Sequence, residues 1–137
     1  MNNDYIEIQN TLSEYSLASS KRDVAGILQT FVPDGVWVVT GMGAEFKGIE
    51  AMRPVISDFF TRMENWHQIN APAIITVEGD SATARSSIQE GGKFAGRNEA
   101  MSITGFYDDI LIRTADGWKF TRRAFTSNTN LRYALCE

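Results

Sequence analysis

The sequence has few of the residues that build metal sites or covalent cross-links. Its 137 residues include one cysteine, Cys136, and one histidine, His67. A single cysteine cannot form a disulfide within the chain, and a zinc site normally needs several cysteine or histidine ligands. We therefore expect no internal disulfide and no metal site.

Long apolar runs and an excess of positive charge are also missing. No stretch reaches the length of about eighteen apolar residues typical of a membrane-spanning helix, and residues 1–4 lack the basic and apolar regions of a secretory signal. The 13 basic and 17 acidic residues give a formal net charge of -4. This sign does not suit a nucleic-acid surface. We expect a cytoplasmic protein that binds neither membranes nor nucleic acid.

The apolar content is sufficient for one packed core. Hydrophobic residues make up 43% of the chain, and the only three prolines are scattered, so nothing marks a linker between domains. We expect a single domain over residues 1–137.

Three segments have apolar residues at steps of three and four, which is the spacing of one helix face. They predict helices over residues 4–19, 21–31 and from 48 to about 63. Ser20 and Asp23 are expected to cap the second helix. Regular bonding in the third is expected to begin near residue 51, because Pro54 donates no backbone hydrogen bond.

The remaining segments alternate between apolar and polar residues, as strands do, and are separated by turn residues that include glycine. A short hairpin is predicted between the second and third helices, and an antiparallel meander follows the third helix. The predicted strands cover residues 36–40, 44–47, 67–78, 81–89, 100–114 and 118–128, with residues 33–35 as a turn and 91–97 as a hairpin loop. This order predicts an α+β domain in which helices cover one face of a sheet.

Several landmarks along the chain carry a family resemblance. They are Tyr15, residues 31–35 (FVPDG), Gly48, residues 67–70 (HQIN), residues 77–82 (VEGDSA), residues 107–109 (YDD), residues 116–120 (DGWKF) and Arg123. Their order and spacing resemble the SnoaL-like branch of the nuclear transport factor 2-like superfamily. That superfamily includes scytalone dehydratase, ketosteroid isomerase, polyketide cyclases and a hexachlorocyclohexane dehydrochlorinase.

The resemblance implies a specific architecture. The sheet is expected to be conical, mixed but mostly antiparallel, and wrapped around the helices, with the element order α-α-β-β-α-β-β-β-β. It would leave an apolar cavity open at one end. Relatives commonly dimerise through the outer face of the sheet, so we expect a homodimer.

His67 is the first candidate for catalysis, because a neutral imidazole can accept a proton near neutral pH. On a regular strand it would share a face with Ile69 and Val77 and project into the cavity. A bulge at Pro72 would reset this alternation and leave His67 and Val77 on opposite faces. In that case His67 could be a rim histidine held by a backbone carbonyl.

The resemblance also implies partners for His67. In the dehydratase and dehydrochlorinase relatives, an aspartate five residues after the tyrosine of the first helix orients the histidine, and here that position is Ser20. The family pair is therefore incomplete, since serine cannot stabilise an imidazolium as a carboxylate does. Tyr15 is expected to hold a substrate oxygen, or else to be an ordinary core aromatic.

The other candidates are a charged pair and a group of aromatic residues. Folding the last two strands about the turn at residues 116–117 brings Asp109 close to Arg123 in one register, either as a structural ion pair or as an anion clamp at the cavity mouth. Trp37, Phe59 and Tyr107 are expected to line the cavity and contact substrate, or to belong to the core.

Together these residues favour a lyase or isomerase that needs no cofactor. It would act by elimination, isomerisation or cyclisation on an apolar small molecule with a carbonyl or hydroxyl group, with His67 moving the proton. Two alternatives remain open. One is a noncatalytic module that binds a hydrophobic ligand, and the other is a structural subunit resembling the small subunit of ring-hydroxylating dioxygenases.

Overall fold

The fold combines three helices with seven strands. The computed structural model describes residues 3–136, so the ends of the predicted domain, at residues 1–2 and 137, lie outside the described residues. The elements are α1 (Asp4–Ser20), α2 (Val24–Leu28), β1 (Phe31–Val39), a short 3-10 turn (Thr40–Met42), β2 (Ala44–Lys47), α3 (Ile49–Thr61), β3 (His67–Asn70), β4 (Ile74–Glu78), β5 (Ser81–Lys93), β6 (Glu99–Thr114) and β7 (Gly117–Ala134).

All seven strands belong to one sheet. Its order is β2-β1-β7-β6-β5-β3. Strand β4 also pairs with β5, along the segment next to the one that pairs with β3. Strands β1 and β7 run parallel, whereas the other pairs are antiparallel. The predicted α+β class and the curved, mostly antiparallel sheet are confirmed.

Helix α1 covers the inner face of the sheet, and its predicted bounds are correct to one residue. Ile8, Leu12 and Tyr15 are all at most 5% exposed and join the main core. The Thr11 hydroxyl donates a hydrogen bond to the Trp118 carbonyl at 2.8 Å, which fixes α1 against β7. Three of the four residues on the apolar stripe of this segment are therefore buried, whereas the fourth, Tyr5, is 54% exposed.

The second helix is much shorter than predicted. It starts only at Val24, after Arg22 adopts a left-handed conformation with φ of 54°. It ends at Leu28, because Thr30 offers its carbonyl oxygen to the N–H of Phe120 and so draws the chain into the sheet. The predicted helical residue Phe31 is instead the buried first residue of β1.

The predicted turn at residues 33–35 lies inside β1. Phe31 pairs with Phe120 and Val36 with Arg122, so five steps along β1 match two along β7. The proline and glycine of this segment therefore produce an irregularity within the strand and do not end it.

Helix α3 begins two residues before the predicted start of regular bonding. Gly48 has a φ of 89°, which glycine tolerates best, and its carbonyl oxygen accepts hydrogen bonds from the N–H groups of Ala51 and Met52. These bonds establish the first turn from Ile49 onward. Pro54 lies within the helix and does not delay its start.

The predicted strand over residues 67–78 is split into β3 and β4. Asn70 pairs with Ile88 and Ile74 with Arg85, so four steps on this side match three on β5. Pro72, which has no N–H for the ladder, lies within the extra segment. The result is a one-residue bulge that reverses the side-chain alternation between β3 and β4.

Strand β5 extends into the predicted loop at residues 91–97. A methyl group on Gly91 would lie 2.6 Å from the Met101 carbonyl oxygen, and one on Gly92 would lie 2.2 Å from that of Asn65. These glycines therefore allow close backbone packing and do not form a turn. Strand β7 likewise runs past its predicted end at residue 128, pairing with β6 as far as Ala134.

Candidate functional site

A largely aromatic and aliphatic cavity of about 280 Å³ lies within the fold, lined by residues from all three helices and six strands. Its lining residues are Tyr15, Ser19, Ile27, Trp37, Val39, Met42, Phe46, Val55, Ile56, Phe59, Phe60, Arg62, Trp66, Gln68, Glu90, Ile103, Tyr107 and Phe125. A mostly apolar cavity with a few convergent polar groups is typical of a small-molecule site.

Four of the residues proposed from the sequence come together at this cavity. They are Tyr15 on α1, Trp37 on β1, Phe59 on α3 and Tyr107 on β6. The rings of Tyr15 and Tyr107 meet edge to face with centroids 5.9 Å apart. These four side chains therefore lie together in the cavity wall.

The structure does not place His67 in the cavity. His67 is exposed, whereas its neighbours Trp66 and Gln68 are 6% and 5% exposed and line the cavity. The expectation that His67 shares the inner face with Val77 is wrong, because the bulge at Pro72 reverses the alternation between them. The structure instead matches the other expectation, in which a bulge at Pro72 puts His67 and Val77 on opposite faces.

Gln68 connects the polar groups of the cavity wall. Its Oε1 atom accepts a hydrogen bond from the Ser16 hydroxyl at 2.9 Å, and its Nε2 atom donates to Glu90 Oε2 at 2.9 Å and to the Tyr107 hydroxyl at 3.1 Å. These bonds define the orientation of the amide, because its oxygen faces a donor and its nitrogen faces two acceptors. Gln68 therefore holds Glu90 and Tyr107 in fixed positions.

Glu90 is the only carboxylic acid among the lining residues of this cavity. Burial raises its pKa, although the hydrogen bond from Gln68 and the positive charge of Arg123 act to lower it. Within residues 3–136, the Oε1 atom of Glu90 accepts no hydrogen bond. The cavity thus contains a carboxyl group with a raised pKa and one uncommitted oxygen, which suits proton transfer.

The two tyrosine hydroxyls remain protonated over a wide pH range. Burial raises the pKa of Tyr15 and raises that of Tyr107 well above its ordinary value, while Arg123 acts to lower both. The hydroxyl of Tyr107 accepts from Gln68 and also interacts with the hydroxyl of Tyr15. Both groups are therefore hydrogen-bond donors at neutral pH.

Ser20 supports the site from outside the cavity. Its hydroxyl oxygen accepts from the backbone N–H of Gln68 at 2.9 Å and also contacts the Gln68 carbonyl oxygen at 3.3 Å. Of the two residues expected to cap the second helix, Asp23 does so by accepting from the N–H of Gly26, and Ser20 does not. Ser20 is not a lining residue of the cavity.

Asp109 and Arg123 form the predicted ion pair, but they lie behind the cavity wall. They face each other on β6 and β7, and Arg123 Nε lies 3.2 Å from Asp109 Oδ1. Arg123 is 0% exposed and Asp109 is 2% exposed. The guanidinium packs against the rings of Tyr107 and Tyr15, at 3.5 and 4.2 Å from their centroids. These rings separate the pair from the cavity, so an anion clamp at the mouth is not what the structure shows.

The pair is incompletely hydrogen-bonded. Four atoms of the pair make no well-aligned hydrogen bond with any residue of 3–136. They are the two carboxylate oxygens of Asp109 and the Nε and Nη1 atoms of Arg123. Only Arg123 Nη2 makes such a bond, donating to Asn70 Oδ1 at 2.8 Å. Burial raises the pKa of Asp109 to about 6, against the lowering effect of Arg123, and the charge of Asp108 raises it further.

The sequence prediction missed Glu90 and Gln68. Glu90 follows Ala82, Ala84 and Ile88 on the inner face of β5 and is the one acidic side chain there. That pattern is a signal for Glu90, but the glycines at residues 91–92 resemble a loop and hide the continuation of the strand beyond residue 89. A regular alternation over residues 67–78 puts Gln68 on the outer face, and the bulge reverses this.

No helix within residues 3–136 is long and apolar enough to span a bilayer. In the same part of the chain, no three histidine, cysteine, aspartate or glutamate side chains are grouped so that they could hold a metal ion.

The curved, mostly antiparallel sheet and the arrangement of the helices define an α+β fold of the nuclear transport factor 2-like type. Residues 2–124 match the model of the SnoaL-like domain. The chain therefore belongs to the SnoaL-like family, and the resemblance seen in the sequence is confirmed.

Similar proteins support the same fold. The uncharacterized protein Rv2910c of Mycobacterium tuberculosis is 30% identical over 128 residues, which cover 90% of this chain and 84% of the relative. A candidate scytalone dehydratase from Novosphingobium aromaticivorans has a TM-score of 0.82 at 20% identity, covering 94% of this chain and 87% of that one. The dehydrochlorinase LinA-type3 from Novosphingobium barchaimii has a TM-score of 0.80 at 21% identity, covering 94% and 89%.

Proposed function

We propose that the protein is an enzyme that moves a proton on an apolar small molecule bound in the cavity, with Glu90 as the general acid and base. The observation that carries this proposal is the position of Glu90. It is the one carboxyl of an otherwise mostly apolar cavity, its pKa is raised by burial, and Gln68 holds one of its oxygens. Environments of this kind tune a carboxyl for proton transfer near neutral pH.

The proposed step is the removal of a proton next to a carbonyl group. The C–H bond breaks, its proton passes to the free oxygen of ionised Glu90, and its electron pair moves toward the carbonyl oxygen. The hydroxyl of Tyr15 donates a hydrogen bond to the oxygen that gains negative charge. If the acquired proton on Glu90 exchanges with solvent before a proton returns to the same carbon, the result is exchange. Delivery to another carbon gives isomerisation. Delivery to a leaving group, whose bond to carbon breaks as the electron pair forms a C=C bond, gives elimination.

This assignment differs from the one based on the sequence, in which His67 moved the proton. His67 is exposed and absent from the cavity lining, so its imidazole is not in a position to act on a molecule bound there. The dehydratase and dehydrochlorinase names of the structural neighbours agree with proton transfer as the reaction class. The proposal keeps that class and changes the acting residue.

Hydrogen–deuterium exchange tests the proposal without knowledge of the natural substrate. The bicyclic ketone 2-tetralone has acidic protons next to its carbonyl, and their exchange in deuterium oxide is followed by proton nuclear magnetic resonance. We expect wild-type protein to accelerate exchange, and Glu90→Gln to slow it by about 10²- to 10⁴-fold, which is the usual contribution of a general base.

The matched control is His67→Gln, which alters an exposed side chain on the adjacent strand. We expect it to retain the wild-type exchange rate. If Glu90→Gln kept full activity while His67→Gln lost it, Glu90 would not be the base. If the wild type bound 2-tetralone without accelerating exchange, a noncatalytic ligand-binding module would be the better description.

The predicted homodimer also remains a proposal. The outer face of the sheet carries large exposed apolar residues, namely Ile69, Ile74, Phe106, Ile110, Leu131 and Tyr133. Ile69 and Ile74 each share a shallow surface depression with Phe106, and an exposed apolar patch of this kind is typical of an interface. Sedimentation equilibrium should give a dimer that Phe106→Lys dissociates, and a monomeric wild type would contradict the proposal.

A further inference from the structure

Strand β3 turns polar residues inward and an apolar residue outward. Gln68 is 5% exposed, whereas its neighbour Ile69 is 62% exposed. Asn70 shares the inner face with Gln68, because side chains two residues apart on a strand point to the same side. Burial of apolar surface alone would favour the opposite arrangement, with His67 and Ile69 inside. Polar interactions therefore hold β3 in the observed register.

The side-chain amide of Asn70 joins the bulge to the buried charge of Arg123. Its Oδ1 atom accepts a hydrogen bond from Arg123 Nη2 at 2.8 Å, and its Nδ2 atom donates to the carbonyl oxygen of Ala71 at 2.9 Å. Ala71 lies directly before Pro72 at the start of the irregular segment. One side chain thus connects the guanidinium on β7 to the backbone of the bulge.

Arg123 depends on Asn70 for its hydrogen bonding. The guanidinium is 0% exposed, and its bond to Asn70 is the only well-aligned one that it makes with the residues that the structure describes. A buried charged donor that loses its acceptor is strongly destabilising. A slip of β3 by one residue would turn Asn70 to the outer face and break this bond. The bond therefore exists only in the register that also turns Gln68 inward.

The bulge allows β3 and β4 to follow opposite alternations. Ile75 and Val77 on β4 pack against the core. A regular strand with these two residues inside would also place His67 inside, because residues an even number of positions apart share one face. The extra residue near Pro72 lets β4 keep its apolar face while β3 turns Gln68 inward.

From these observations we infer that Asn70 is a positioning residue, whose hydrogen bond with Arg123 selects the register of β3 that places Gln68, and not His67, at the cavity. Gln68 in turn holds Glu90. The inference rests on the proposed function only for its consequence in proton transfer. The placement of Gln68 and His67 is a structural claim that is tested separately.

The single histidine makes the register observable by nuclear magnetic resonance. A methyl group added to Gly91 would lie 3.4 Å from His67 Cε1, so the ring is close to the α-protons of this glycine. We expect a nuclear Overhauser effect between them in wild type. We also expect a soluble nitroxide to broaden the ring signals, because His67 is exposed. Both measurements report the position of His67 and do not depend on activity.

Asn70→Leu removes both side-chain hydrogen bonds and keeps a side chain of similar size. We expect the contact between His67 and Gly91 to disappear and the ring to become protected from the nitroxide. The exchange of 2-tetralone protons should slow by about 10²-fold, the usual effect of a misplaced catalytic group. Asn70→Asp keeps an acceptor for Arg123 and should retain the wild-type contact, which separates this bond from the one to the bulge.

The matched control is Gln9→Leu. Gln9 reaches the same bulge from α1, where its Nε2 atom donates to the Ala73 carbonyl oxygen at 3.5 Å, and this bond does not involve Arg123. We expect the control to keep the wild-type histidine signals and exchange rate. A shift of register in Gln9→Leu equal to that in Asn70→Leu would contradict the assignment to Asn70.

Deletion of Pro72 separates the choice of register from a general need for Asn70. The shortened strand needs no bulge, because regular alternation then places Gln68 and Ile75 on the same face. Asn70→Leu in this shortened chain should therefore keep the wild-type signals of the histidine. Folding of Asn70→Leu only when Pro72 is deleted would likewise support the inference.

Two results would overturn the inference. One is a folded full-length Asn70→Leu that retains the contact between His67 and Gly91. The other is failure of Asn70→Leu to fold both with and without Pro72, since Asn70 would then be required whatever the register. If the histidine signals follow the inference but wild type does not accelerate exchange, the proposed function fails and the inference stands.

Discussion

Two groups of buried polar residues lie next to each other in the interior, and they differ in access. The cavity cluster comprises Gln68, Glu90 and Tyr107, all of which line the cavity. The sealed pair is Asp109 with Arg123, which the tyrosine rings cover. The sealed pair has more charge and deeper burial, yet it has no open space in which to act. Access to a cavity, and not burial of charge, therefore distinguishes the candidate site.

The two groups also differ in how their polar atoms are satisfied. Gln68 makes two side-chain hydrogen bonds within the cavity cluster and a third with Ser16, whereas the sealed pair depends mainly on charge attraction and on ring contacts with Arg123. Removing one member of a buried ion pair leaves the other charge without compensation. The sealed pair should therefore matter most for stability, and the cavity cluster most for activity.

The largest expected effect on stability comes from Arg123→Met, which leaves Asp109 buried without its partner. We expect a loss of about 3–5 kcal/mol in the free energy of unfolding, measured by urea denaturation. The control is Arg122→Met, since Arg122 is exposed and lies 4.0 Å from Glu45, and it should change stability by no more than about 1 kcal/mol. Equal effects of the two variants would remove the distinction between sealed and exposed charges.

An intermediate effect is expected from Gln68→Leu. The change removes the partner of Ser16, Glu90 and Tyr107 and should cost about 1–3 kcal/mol in unfolding free energy. It should also slow deuterium exchange, because Glu90 is no longer held. Gln89→Leu, on the exposed face of β5, should stay within about 0.5 kcal/mol. A fully active Gln68→Leu would show that the hydrogen bonds do not position Glu90.

The smallest stability effect is expected from Glu90→Gln, and it should depend on pH. Because burial raises the pKa of Glu90, the folded protein binds more protons than the unfolded chain between the ordinary value of about 4.3 and the raised one. The wild type therefore loses this contribution as pH rises through the folded pKa, while Glu90→Gln does not titrate there.

Glu90→Gln should consequently match wild type near pH 4 and become relatively more stable toward pH 8, as measured by urea denaturation at each pH. The contribution of Asp109, whose pKa is also raised, is common to both proteins and cancels in the difference. A Glu90→Gln variant that becomes relatively less stable as pH rises would mean that the carboxylate is stabilised by the fold, contrary to the proposed site.

Much of the fold was predictable because its signals are local and repeated. The helical spacing of α1 and the long alternation of β6 each extend over many residues, so single exceptions do not change the outcome. The pairing of Asp109 with Arg123 needs more than the turn, because the register of β6 and β7 shifts by one residue between Ile110 and Leu111 and only that shift places Asp109 opposite Arg123.

The site was harder to predict because it depends on single residues. One extra residue near Pro72 exchanges the faces of His67 and Gln68, and no periodicity over so few residues reveals it. Gly92 resembles a turn residue in the sequence, whereas it serves close packing against Asn65, which is distant along the chain. Such contacts are tertiary, and the local sequence does not encode them.

The pH dependence of deuterium exchange on 2-tetralone tests the central claim most directly. The account predicts a rate that rises with pH through one ionisation, at a pKa above the ordinary glutamate value of about 4.3, and that His67→Gln leaves unchanged while Glu90→Gln removes. A pH-dependent rate that persists in Glu90→Gln and vanishes in His67→Gln would contradict the account.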